Sequence, residues 1–75
     1  MNSLDDFVEI VRNELGLPVG TQDAALSLDD VPGWNSLHLL TLLVVLERTT
    51  GRRISMPDVL QADSLHQIYT LATAA

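Results

Sequence analysis

The 75-residue chain contains no cysteine and no lysine, and its only aromatic residues are Phe7, Trp34 and Tyr69. Without cysteine the chain cannot form a disulfide or a thiolate metal site, so packed apolar side chains must supply its stability. Apolar residues make up 47% of the sequence, which is enough for a modest and mainly aliphatic core. This length is near the lower limit for one unaided hydrophobic core, so we expect a single domain over residues 1–75.

Long apolar runs are missing as well. The longest nearly unbroken run, Leu37 to Leu46, is about half the length of a membrane span. The N-terminal residues from Met1 to Asp6 are acidic where a signal peptide would be basic. These features predict a soluble, monomeric, cytoplasmic protein with no membrane partner. A chain that starts at Met1, just before its first predicted helix, is also typical of a free-standing protein, and the alternative is a domain excised from a larger synthase.

Positive charge is scarce: ten acidic residues face four arginines, for a net charge of −6. Residues 1–35 hold seven of the acids and one arginine, whereas residues 36–75 are balanced. Such a field repels a polyanion, which argues against nucleic-acid binding. The acidic half favours partners with basic surfaces.

Hydrophobic periodicity and capping residues predict an all-α fold, a small four-helix bundle of three principal helices and one short helix. We expect helices over 4–15, from Ser36 to Thr49 or Thr50, over 58–61 and over 65–72, and no sheet. Residues 16–35 are expected to form a long first loop with a helical turn near 23–26, and loops of this length are often functional. Four apolar residues are expected to anchor that loop: Val19, Leu26, Leu28 and Val31.

The second predicted helix is apolar on two opposite sides. One side carries four leucines: Leu39, Leu42, Leu43 and Leu46. The other carries Leu37, Leu40 and Val44, flanked by Thr41, Glu47 and Arg48. Neighbours in so small a bundle cover only about half of a helix, so one side is expected to be exposed for docking. The alternative is that the first loop folds back and covers the second side.

The segment Pro32-Gly33-Trp34-Asn35-Ser36-Leu37 resembles the phosphopantetheine attachment site of acyl and peptidyl carrier proteins. Those proteins carry Asp-Ser-Leu, often after Gly-Trp or Gly-Leu, at the start of their second helix. The resemblance covers nearly the whole chain, including Leu46-Glu47-Arg48 and the stretch from Gly51 to Pro57. The tripeptide Asn35-Ser36-Leu37 alone is weak evidence for the resemblance. Its position between the long first loop and the second predicted helix makes the evidence strong.

The resemblance implies a single acyl carrier domain with 4′-phosphopantetheine joined covalently to Ser36, and with Trp34, Asn35 and Leu37 completing the attachment site. It implies no catalysis by the chain itself, which would hold acyl, aminoacyl or polyketide groups as thioesters. The implied partners are a phosphopantetheinyl transferase, a loading enzyme, a ketosynthase or condensation enzyme, and a thioesterase. Five residues of the second helix would form the partner face: Leu37, Leu40, Thr41, Val44 and Arg48.

Two features leave alternatives open within this interpretation. Asn35 stands where the family usually has aspartate, so three alternatives stay open: modification by a transferase is slower, the matching transferase tolerates asparagine, or the chain is an inactive relative. Asp63-Ser64-Leu65 is the better literal match to the tripeptide, but no Gly-Trp precedes it. We therefore expect Asp63 or Ser64 to cap the last helix, and we assign the attachment to Ser36.

Other residues point to no further chemistry. His38 and His66 lie too far apart for a metal site and are expected at the surface, although His38 is near enough to Ser36 to contact the arm or the transferase. No hydrolase motif is present. A rival interpretation is a helical interaction module without a prosthetic group. In the family that the chain resembles, carriers of fatty acid synthesis typically have an acidic second helix. Here that helix has only Glu47 and adds the positive Arg48, so the resemblance favours polyketide or nonribosomal peptide biosynthesis over fatty acid synthesis.

Overall fold

A computed structural model of the protein describes residues 3–73. It contains four α-helices: α1 (Leu4–Leu15), α2 (Ser36–Thr50), α3 (Met56–Gln61) and α4 (Leu65–Thr73). Two short 3-10 turns, Thr21–Ala25 and Leu28–Asp30, lie in the connection between α1 and α2. The predicted all-α fold with a long first loop is thereby confirmed. Met1, on which the expectation of a free-standing protein depends, lies outside the described residues.

The ends of the principal helices follow their capping residues. The Ser3 hydroxyl accepts a hydrogen bond of 3.2 Å from the Asp6 amide at the start of α1, and Gly16 ends that helix. Gly51 ends α2 in the same way. None of the helices within residues 3–73 is long and apolar enough to cross a membrane.

The short helix α3 begins at Met56, two residues before the predicted start at Asp58. Pro57 occupies its first turn, where the missing amide hydrogen costs nothing because no intrahelical acceptor is available there. Pro57 thus lies in the first turn of α3, as expected of a proline that opens a helix, although the helix begins one residue before it.

The hydrophobic core lies where α1, α2 and α4 meet, and α3 packs against α2 and α4. Phe7 of α1 faces Tyr69 of α4, with ring centroids 5.6 Å apart. The side of α2 that carries Leu39, Leu42, Leu43 and Leu46 is buried, as predicted, and is called the inner side. The opposite side, with Leu37, Leu40 and Val44, is the outer side. The largest fully buried side chains are Phe7, Leu42, Leu46, Leu65 and Ile68.

The first loop is anchored by Leu17, Val19, Ala24 and Val31, which are buried, and by Leu28, which is partly buried. The prediction for Leu26 is wrong, because its side chain is 39% exposed. Ala24 takes the inward position instead, since the turn Thr21–Ala25 packs against α1 and α4. The loop thus reaches the bundle through the turn itself and not through the residue after it.

A backbone contact fastens the first loop to the linker between α3 and α4. The Leu28 amide donates to the Asp63 carbonyl oxygen at 2.8 Å, and Ser27 and Ser64 form an isolated antiparallel bridge. This bridge is the only β-type pairing in the described part of the chain, which agrees with the predicted absence of a sheet. The contact brings two segments that are distant in sequence to the same end of the bundle.

The burial of α2 leads to a stability prediction. Leu42→Ala should lower the free energy of unfolding by about 2–5 kcal/mol, because the lost side chain is fully buried and leaves a cavity. Leu40→Ala is the matched control on the outer side of the same helix and should cost less than about 1 kcal/mol. Denaturant titration of both variants measures the difference. Equal losses would contradict the assignment of inner and outer sides.

Candidate functional site

The start of α2 is set by Asn35. Its backbone is extended, with φ −155° and ψ 176°, and its side-chain Oδ1 accepts a hydrogen bond from the His38 amide at 3.0 Å. Asn35 is therefore the N-cap, and Ser36 is the first helical residue, with an exposed side chain. An exposed hydroxyl thus lies at the positive end of the α2 dipole.

The turn before Ser36 requires glycine at position 33. Gly33 has φ +78°, and a Cβ atom at this position would lie 3.0 Å from Cδ2 of Leu17. The Trp34 amide then donates to the Val31 carbonyl oxygen at 3.1 Å, which closes the turn. The left-handed backbone and the close approach of Leu17 together direct the chain into α2.

Trp34 anchors this turn to the bundle. Its side chain is half-buried and packs against the hydrophobic core, and its ring centroid lies 6.3 Å from that of His38. His38 is consequently half-buried and not at the surface as predicted, and its Nδ1 atom is buried without a hydrogen-bond partner. His66 is exposed, as expected. No cluster of residues able to hold a metal ion occurs within residues 3–73.

A hollow of about 280 Å³ opens beside Ser36. It lies between the start of α2, the first loop and the linker after α3. Its walls include carboxylates, hydroxyls and apolar side chains: Ser27, Leu28, Asp29, Trp34, Asn35, Ser36, Leu39, Leu60, Ala62 and Asp63. The sequence analysis identified three of these as site residues, Trp34, Asn35 and Ser36, and missed Asp29, Leu60 and Asp63. Asp63 reaches the hollow because of the backbone bridge between the first loop and the linker after α3. No sequence pattern predicts that bridge.

The outer side of α2 is uncovered. Leu37, Leu40 and Val44 are 69%, 44% and 54% exposed. Thr41 and Arg48, which flank them on the helix, are exposed too. The first loop therefore does not cover the second apolar side of α2. Two apolar side chains of α3 are also exposed, Met56 and Leu60.

Ser64 has the local structure of a helix cap. Its hydroxyl accepts a hydrogen bond of 3.2 Å from the Gln67 amide in the first turn of α4. Its backbone also takes part in the bridge to Ser27, and its side chain is half-buried. These contacts distinguish Ser64 from the exposed Ser36, although both serines precede leucine.

The surroundings of Ser36 suit a covalently attached phosphate. The hydroxyl is accessible, and the first-turn amides of Ser36 and Leu37 have no intrahelical acceptor. Amide hydrogens at a helix N-terminus stabilise a phosphate through hydrogen bonds and the helix dipole. The residues present therefore fit a phosphopantetheine group at this position.

The chain matches the family model described as the phosphopantetheine attachment site over residues 5–72. Because this match covers most of the chain, the protein belongs to that family of carrier proteins. Its cofactor is accordingly 4′-phosphopantetheine, which this family carries covalently. No curated protein and no solved structure shows significant similarity to the chain.

The cap leads to a prediction about Asn35. Asn35→Ala should lower the free energy of unfolding by about 1 kcal/mol, because the His38 amide loses its acceptor. Asn35→Asp should keep the stability of the parent, since a carboxylate oxygen also accepts that hydrogen bond. Thermal unfolding of the two variants beside the parent provides the measurement. Equal stability of Asn35→Ala and Asn35→Asp would show that the side chain does not cap α2.

Proposed function

We propose that Ser36 carries the phosphopantetheine arm and that residues 1–75 form one non-catalytic acyl carrier domain. The observation that carries this proposal is the exposed Ser36 hydroxyl at the first position of α2, directly after the N-cap Asn35. Ser36 also lies inside the residues that match the family. We further propose that the protein acts as a monomer in the cytoplasm.

The attachment is a phosphoryl transfer from coenzyme A, catalysed by a phosphopantetheinyl transferase. The Ser36 Oγ atom attacks the phosphorus that bears the pantetheine, and the bond from that phosphorus to the oxygen bridging to the second phosphate breaks. Adenosine 3′,5′-bisphosphate leaves with the bonding electrons, and the serine proton passes to a base of the transferase. The carrier must supply an accessible hydroxyl for this step, and the exposed side chain of Ser36 carries one.

After attachment, residues of the carrier hold and orient the phosphopantetheine arm. The N-terminus of α2 stabilises the negative charge of the phosphodiester. Asn35 and the Gly33 turn fix the direction in which Ser36 points away from the bundle. The terminal thiol of the arm supplies the thioester chemistry that a cysteine-free chain lacks.

The outer side of α2 is the proposed partner face, formed by Leu37, Leu40, Thr41, Val44 and Arg48. Its apolar side chains are exposed next to Ser36, so an enzyme docked on them would have the arm within reach. The proposed partners are the enzymes that load, extend and release the carried group: a loading enzyme, a ketosynthase or condensation enzyme, and a thioesterase.

The pathway that we propose is polyketide or nonribosomal peptide biosynthesis. The partner face contains no carboxylate, and its only charge is the positive one of Arg48. This composition supports natural-product assembly over the alternative, a fatty acid synthesis carrier, whose second helix is typically acidic. An interaction module without a prosthetic group is disfavoured by the family to which the chain belongs.

The attachment site is tested by the intact mass of protein coexpressed with a broad-specificity phosphopantetheinyl transferase. The parent should gain the mass of one phosphopantetheine, because one accessible serine, Ser36, occupies the position at which the family carries the group. Ser36→Ala should abolish the gain, whereas the matched variant Ser64→Ala should retain it. Loss of the gain in Ser64→Ala with retention in Ser36→Ala would reverse the assignment.

The partner face is tested by polar variants of similar size. Leu40→Gln and Val44→Thr should keep the melting temperature within about 8 °C of the parent, because exposed side chains contribute little to folding. Loading of the carrier by its partner enzyme should fall, since the apolar contact is lost only in the complex. Leu26→Gln, which changes an exposed leucine outside the face, is the control and should load normally. Normal loading of the α2 variants would contradict the proposed face.

A further inference from the structure

Two carboxylates stand beside Ser36 although the residue before it is neutral. Asp29, in the turn Leu28–Asp30, and Asp63, after α3, line the same hollow as Ser36 and Asn35. Both side chains are exposed. The hollow therefore has an anionic wall even though Asn35 contributes no charge.

The backbone fixes both carboxylates at this place. The hydrogen bond from the Leu28 amide to the Asp63 carbonyl oxygen holds the two segments together, with the bridge between Ser27 and Ser64 beside it. The Asp63 amide donates to Oε1 of Gln67 at 2.7 Å. These contacts use backbone atoms of Asp63, so its carboxylate is left available for an interaction outside the chain.

An apolar rim accompanies the charged wall. Leu60 of α3 lines the hollow and is 61% exposed, and Leu37 follows Ser36 and is more exposed still. Exposed apolar side chains next to polar or charged ones are typical of a protein contact surface. A nucleic acid or an anionic lipid surface would be repelled by the two carboxylates and by the net charge of the chain.

We propose that Asp29, Asp63 and Leu60 are contact residues for the phosphopantetheinyl transferase, and that the two carboxylates supply the negative charge missing at Asn35. This inference rests on the proposed attachment at Ser36. Coenzyme A carries several phosphate charges, so an enzyme that holds it against Ser36 must present cationic groups there. Carboxylates beside the acceptor serine complement those groups and orient the carrier as it docks.

The experiment measures modification by a broad-specificity transferase with coenzyme A, for the parent, Asp29→Asn, Asp63→Asn and the double variant. Each single substitution should raise KM and leave kcat unchanged, so that kcat/KM falls by roughly 2–5-fold. The reason is that exposed charge pairs mainly affect the rate at which the two proteins associate. Asp30→Asn removes the same charge from the same turn but lies outside the hollow, so it should behave like the parent. Added salt should shrink the differences.

A rescue variant distinguishes a local effect of the two carboxylates beside Ser36 from a general effect of the net charge of the chain. Asn35→Asp in the double variant should restore most of the lost kcat/KM, because it returns a carboxylate to the wall of the hollow. Unchanged kinetics in the double variant, or an equal loss in Asp30→Asn, would overturn this inference alone. Failure of the parent to gain phosphopantetheine would instead overturn the attachment at Ser36. Thermal melts of all variants confirm that each one is folded.

Discussion

The hydrogen bond from the His38 amide to Asn35 Oδ1 determines where α2 begins, and the functional surface depends on that position. Because the helix begins at Ser36, this hydroxyl lies at the positive helix end and outside the core. The same register turns Leu42 and Leu46 into the bundle and leaves Leu40 and Val44 outside.

The long first loop serves the site more than the core. It contributes four buried side chains, but its main effect is to hold the Gly33 turn and the backbone bridge to the linker before α4. Together these contacts form the hollow beside Ser36 from three separate segments. The fold of this carrier protein thus presents one hydroxyl with defined surroundings.

Helix positions and the inner side of α2 follow from the sequence, because caps, glycines and a 3.6-residue period are local signals. The exposed position of Ser36 follows from the same signals. The burial of Ala24 in place of Leu26, and the half-burial of His38 beside Trp34, depend on how the loop packs and have no local signal. The placement of Asp29 and Asp63 beside Ser36 depends on a backbone hydrogen bond between distant segments, which leaves no side-chain pattern to recognise.

The most direct test of the account is to locate the prosthetic group on the modified protein. Trypsin cleaves after arginine here, since the chain has no lysine, and it separates residues 13–48 from residues 54–75. We expect the phosphopantetheine mass on the peptide of residues 13–48, with fragment ions assigning it to Ser36. Two results would contradict the account. One is finding the group on residues 54–75, which include Ser64, and the other is finding it on another hydroxyl of residues 13–48.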